Sequence, residues 1–132
     1  MRPFRKRRAK HLTLGRRGES IAASLLRELG LQVLVRNYTT PAGEIDIVAR
    51  DRDMLCFVEV KTRHRAIHSR PADAVGRDKK RRIARTAHRY LKEIGRPPLA
   101  YRFDIVEVLL ENRWLRDLRY WPNAFTESPR RI

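Results

Sequence analysis

Asp46, Glu59 and Lys61 are the residues whose types and spacing could do chemistry. They sit in Gly43-Glu44-Ile45-Asp46-Ile47-Val48 and Phe57-Val58-Glu59-Val60-Lys61, stretches that otherwise read as buried strand. Strands are depleted in Asp, Glu and Lys, and such breaches of local preference concentrate at functional sites. Alternation along a strand puts Glu59 and Lys61 on one face and Val58 and Val60 on the other. The intervening Arg50-Asp51-Arg52-Asp53 is polar and turn-forming, which predicts a hairpin. A loop centred on Arg52 and Asp53 sets Asp46 opposite Glu59, and opposed residues share a face with Cβ atoms about 4.5 to 5.5 Å apart.

Two carboxylates that close repel unless positive charge lies between them. Oxygen ligands of this kind suit a hard cation, Mg²⁺ or Mn²⁺, of the sort that binds substrate phosphates while keeping several waters. Beside it, Lys61 would orient or help deprotonate an attacking water, or offset charge on a phosphate in the transition state. The plainer alternative is a cross-strand salt bridge between Lys61 and one of the acids.

Several elements must position these residues. Ile21, Ala22, Leu25, Leu26 and Leu29 recur at helical spacing and predict a helix over 14–29 with Gly30 as its C-cap. Glu19 then falls in its first turn, where a carboxylate also complements the helix dipole. A strand is expected over 31–36, followed by a loop over 39–43 that leads into the Asp46 strand. After Lys61 comes an aperiodic polar segment. His64 and His68 there have the spacing of a helical metal pair, but without helical patterning or a third ligand they read as solvated or phosphate-facing.

Periodicity turns helical again over 78–94, with Ile83, Ala87, Tyr90, Leu91 and Ile94 on one face. The other face carries Arg77, Lys79, Lys80, Arg81, Arg82, Arg85, Arg89 and Lys92. One-signed clustering of this kind fits phosphate contact, the alternative being a solvated face. Lys79, Lys80, Arg82 and Arg85, with Arg63 after the Lys61 strand, are the expected nucleic-acid contacts. Strands are expected over 101–110 and 113–120. Asp104 reads as the partner of a neighbouring arginine. Trp114, Tyr120 and Trp121 read as core or as base-stacking groups.

The 132-residue length fits one domain. We expect a basic arm over 1–11, an α/β domain over 12–127 and a polar tail over 128–132. Arg2, Arg5, Lys6, Arg7, Arg8 and Lys10 make the arm too charged to fold alone. Net charge is +16 and the sequence pI about 11.3, an excess that favours nucleic acid, DNA ahead of RNA, as partner. No apolar run long enough for a membrane span and no signal peptide can be read, so no membrane partner is expected. The single cysteine, Cys56, cannot form an internal disulfide, and the cytoplasm is the expected compartment.

The order Asp46, then Glu59-x-Lys61 on a hairpin after an N-terminal helix, resembles the PD-(D/E)XK nuclease superfamily in its archaeal Holliday-junction-resolvase-like branch. Ile45 stands where the superfamily's name has Pro. More closely, Gly18-Glu19, Arg36-Asn37-Tyr38, Gly43-Glu44-Ile45-Asp46, Phe57-Val58-Glu59-Val60-Lys61-Thr62-Arg63 and Asn123-Ala124-Phe125 are similar to the YraN family of uncharacterised bacterial proteins, over nearly the whole chain. The resemblance implies a restriction-endonuclease-like fold, with Asp46 and Glu59 as metal ligands and Lys61 as catalytic lysine. It implies Glu19 as an additional acid and ligand. Resolvase-like relatives act as dimers on two-fold junctions, so a homodimer is implied too.

The expectation is therefore a single α/β domain with a central mixed sheet of about five strands flanked by two helices. Its expected function is Mg²⁺-dependent endonuclease cleavage of DNA or structured nucleic acid. The competing reading is a binding module of the same fold without turnover, RNA- or ribosome-associated, whose affinity would not depend on the metal.

Overall fold

Ala22 and Leu26, two of the positions at helical spacing, form with Ala23 the fully buried face of helix α1 (Leu14–Glu28) in a computed structural model of the chain. The structure describes residues 14–64, 75–112 and 114–127; the arm over 1–11, the tail over 128–132 and His68 lie outside them. Helix α1 ends as the sequence predicts. Gly30 adopts φ +92, its N–H donates to the Arg27 carbonyl at 3.0 Å, and Leu31 N–H donates to the Leu26 carbonyl at 2.9 Å. This pair of bonds is the Schellman closure, which needs the left-handed conformation that glycine adopts without a Cβ clash.

Five strands follow, β1 (Gln32–Thr40), β2 (Gly43–Asp51), β3 (Met54–Arg63), β4 (Ala100–Glu111) and β5 (Trp114–Phe125), with helix α2 (Arg77–Glu93) between β3 and β4. They form one sheet in the order β1-β2-β3-β4-β5, antiparallel except for β3 and β4. A parallel pair cannot be joined by a tight hairpin, and α2 lies on the crossover. The chain is thus the expected α/β domain, a mixed sheet of five strands flanked by two helices. No helix among the described residues is long and apolar enough to cross a membrane.

Alternation divides the apolar residues between two cores. Val48, Leu55, Phe57, Phe103 and Ile105 pack with Ile83, Ala87, Tyr90 and Leu91 of α2. Ile47, Ala49, Cys56, Val58, Val106, Val108 and Leu110 pack with Ala22, Ala23 and Leu26 of α1. Burying each such aliphatic or aromatic side chain contributes about 1.5 to 3 kcal/mol.

Three elements differ from the sequence expectation. Strand β1 runs on to Thr40, so the loop expected over 39–43 shrinks to a turn at Pro41 and Ala42, where Thr40 Oγ1 accepts the Ala42 N–H at 3.1 Å. Strand β5 runs on to Phe125, held by ring stacking of Phe125 on Phe103 at 5.2 Å. Ile94, expected on the apolar face of α2, is its C-cap and 43% exposed.

The β4–β5 register shifts between Phe103 and Ile105, and the fully buried Asp104 sits in that break. Its Oδ1 accepts the Asn123 N–H at 2.8 Å, its Oδ2 accepts the Tyr120 hydroxyl, and Arg102 Nε donates to both oxygens at 3.0 and 3.2 Å. Asp104 is thus the partner of a neighbouring arginine, as the sequence suggested. Removing one member of such a buried network leaves the others unpaired. Asp104→Ala should cost about 3 kcal/mol or more in urea unfolding; a loss below about 1 kcal/mol would show that the network is not needed for stability.

Candidate active site

Regular alternation fails at Asp46, and that failure builds the site. Ile45 packs in the α2-side core and Ile47 in the α1-side core, although residues two apart on a strand ordinarily share a face. Their β1 partners divide in the same way. Tyr38, opposite Ile45, meets Tyr90 of α2 edge-on at 5.3 Å, while Arg36, opposite Ile47, donates to Ser20 Oγ of α1 at 3.1 Å. Asn37 lies between them with φ +55, a left-handed conformation that asparagine tolerates better than most residues.

The β2–β3 hairpin turns at Arg52 and Asp53, the expected centre, in a two-residue turn with Asp51 opposite Met54, and its ladder runs to Ile47 opposite Val58. Continuing that register sets Asp46 against Glu59. The Asp46 side chain enters the gap where the ladder stops, and Oδ2 accepts the Val60 N–H at 2.8 Å.

Two more acids reach the same place. Oxygens of Glu19, Glu44 and Asp46 lie within 4.8 Å of one another. Glu19 arrives through a close helix–strand approach: a Cβ on Gly18 would stand 2.1 Å from Thr62 Oγ1, so only glycine lets α1 come this near β3. Because α1 begins at Leu14, Glu19 is its sixth residue, so the expected placement in the first turn is corrected. Glu44 was not singled out from the sequence, although it stands two residues before Asp46 and belongs to the same motif.

Glu59 faces α2. Its carboxylate, 8% exposed, lies with Glu44, Asp46, Lys79 and Arg82 around a cavity of about 200 Å³. Lys79 Nζ is 2.6 Å from Glu59 Oε1 and Lys61 Nζ is 3.9 Å from the same oxygen. Lys79, expected on the nucleic-acid face, therefore turns into the site. The signal was in the helix phase, since Lys79 is one turn before the buried Ile83.

The remaining basic residues divide. Arg82 and Arg85 are exposed, Arg82 at the cavity rim, while Lys80 stands 5.7 Å from the centre of the Phe125 ring. Arg63 lies 3.2 Å from Glu107, a carboxylate 1% exposed that Arg119 approaches at 3.5 Å. Trp114 is 64% exposed, Trp121 packs at the edge of the α2-side core, and Tyr120 serves Asp104.

Like charge and burial dominate the electrostatics. Burial first, then the charges of Glu59 and Glu19, push the Asp46 carboxyl up to about 8, against the opposing pull of the Val60 hydrogen bond. Lys61 is held below the ordinary lysine range by burial and then by the Lys79 ammonium. Burial also opposes the charge on Lys79, but the hydrogen bond to Glu59 and its charge outweigh this and raise it.

The sequence profile of the uncharacterised protein family UPF0102 matches residues 18–108, more than half of the chain. The chain belongs to the UPF0102 family. Relatives named as UPF0102 proteins include one from Syntrophotalea carbinolica, 47% identical over 86% of this chain and 92% of the relative. One from Streptomyces griseus is 50% identical over 76% and 85%, and one from Chloroherpeton thalassium is 31% identical over 90% and 98%. Glu19, Glu44, Asp46, Glu59, Lys61, Lys79 and Arg82 all fall within the UPF0102 match.

The Asp46 shift gives this UPF0102 chain a pH signature. Below its ordinary value of 3.8 the carboxyl is protonated whether the chain is folded or not. Between there and about 8 the unfolded chain releases the proton and the folded chain keeps it, so stability falls as pH rises; above about 8 the loss is complete. Asp46→Asn abolishes this loss while its amide oxygen still accepts the Val60 N–H. In chelator-treated protein the variant should gain about 1 kcal/mol or more over wild type at pH 8 and little at pH 4, measured by thermal melting. A gain that does not grow with pH would refute the electrostatic account.

Proposed function

We propose that this UPF0102 protein is a divalent-metal-dependent endonuclease that hydrolyses phosphodiester bonds in nucleic acid. The observation that carries the proposal is the convergence of Glu19, Glu44 and Asp46 oxygens within 4.8 Å, beside a cavity edged by Lys79 and Arg82. Three carboxylates form a hard, all-oxygen donor set, the kind that Mg²⁺ or Mn²⁺ takes, and a cation would offset both the burial and the neighbouring charges that raise the Asp46 carboxyl. The residues fit such an ion. Asp46, Glu19 and Glu44 would hold it, with Glu59 on the adjoining wall.

When bound, the cation supplies Lewis-acid polarisation of the phosphate and an activated water. The chain's own groups do the rest. Lys61, on the same face as Glu59, orients the attacking water and offsets charge that develops on the phosphoryl oxygens. Arg82 at the rim takes a phosphate oxygen, and the exposed Arg81 and Arg85 hold the backbone further along α2. These contacts read no bases, so the preference is for backbone geometry rather than sequence.

A panel of single strands, duplexes, flaps and four-way junctions, in DNA and RNA, tests the proposal. Cleavage is expected with Mg²⁺ or Mn²⁺ and none with chelator. Asp46→Ala should abolish it and, compared in chelator, leave affinity within a few fold, since the basic surface serves binding. Tight binding of wild type that needs no metal, with every substrate left intact, would favour the binding module instead. Separately, replacing Arg81, Arg82 and Arg85 together with alanine should reduce the slope of log affinity against log salt by roughly 0.9 for each duplex-DNA phosphate that is no longer neutralised. An unchanged slope would return this face to a merely solvated surface.

A further inference from the structure

Lys79 differs from its neighbours on α2. Arg81, Arg82 and Arg85 point to solvent, whereas the Lys79 ammonium lies 2.6 Å from Glu59 Oε1. With Lys61 at 3.9 Å, two ammonium groups share one nearly buried carboxylate. Lys79 itself is 39% exposed, so its side chain spans the distance between the cavity and the outer basic face.

Among the described residues the clustered oxygens belong to Glu19, Glu44 and Asp46, and Glu59 adjoins the cluster through Asp46 without being one of the three. An oxygen in a short, charge-assisted bond to an ammonium has its charge committed there. With Lys79 on Oε1 the pull of this carboxylate on a cation is weakened, and an anion that draws Lys79 away restores it. On a face rich in arginine that anion is a phosphate.

Resting on the metal-dependent reading above, we infer that Lys79 is a positioning residue with two partners: Glu59 in the free protein and a backbone phosphate in the complex. Nucleic acid thereby frees Glu59 to complete the cation's oxygen set, and cation and nucleic acid each strengthen the other's binding. The coupling is reciprocal by thermodynamic necessity.

The test is Mn²⁺ binding by electron paramagnetic resonance to the full chain, with and without a phosphorothioate-linked DNA duplex whose own Mn²⁺ uptake is subtracted. Wild type should bind Mn²⁺ about fivefold or more tightly once the duplex is present, the lower end of ordinary coupling. Lys79→Met should already show the tighter affinity without duplex and gain little from it. Lys79→Arg, which keeps the charge, should retain the wild-type coupling and controls for folding. Equal Mn²⁺ affinity of wild type and Lys79→Met without duplex would overturn the Lys79 inference and leave the cation site standing. No Mn²⁺ uptake by either protein would overturn both.

Discussion

A backbone N–H inside a protein must find an acceptor. Where β2 parts from β3, the Val60 N–H finds the Asp46 carboxylate. This one bond sets much of what surrounds it. It fixes an acid in the gap between two strands, where Glu19 can approach from one helix and Lys79 from the other. It also makes the acid hard to move, so the neighbouring carboxylates gather around a fixed acid. Geometry that satisfies the backbone thus creates an electrostatic excess, and the lysines on Glu59 offset only part of it.

Asp104 shows that the device is a general one in this chain and that its neighbours decide its meaning. Both aspartates accept a strand N–H where a ladder is interrupted. Asp104 then receives a guanidinium and a phenol, which answer its charge completely inside the fold. Asp46 receives further carboxylates instead. The first arrangement is finished; the second is complementary to something with positive charge.

Much of this was legible in the sequence because hairpin symmetry and strand alternation are local rules. A two-residue turn at Arg52 and Asp53 was enough to set Asp46 against Glu59, and helical spacing located both helices to within a residue or so. The remainder depended on departures from those rules. Alternation extrapolated through Asp46 cannot reveal that Ile45 and Ile47 part company, a break matched on the neighbouring strand by the left-handed Asn37. In Asp78-Lys79-Lys80-Arg81-Arg82 composition makes the cations look alike, and only their phase relative to Ile83 singles out Lys79. Arg63 looked like a free cation because its buried partner, Glu107, lies more than forty residues along the chain, on β4.

The two cores lie on opposite sides of the sheet, and each delivers a different sign of charge to the same gap. Glu19 comes with the α1 side and Lys79 with the α2 side. A chain in which local opening undocks α1 lacks Glu19 there, and one in which it undocks α2 lacks Lys79 and Arg82. The gap is thus complete only while both helices are docked. Its charge balance is a property of the assembled layers, held by neither helix alone.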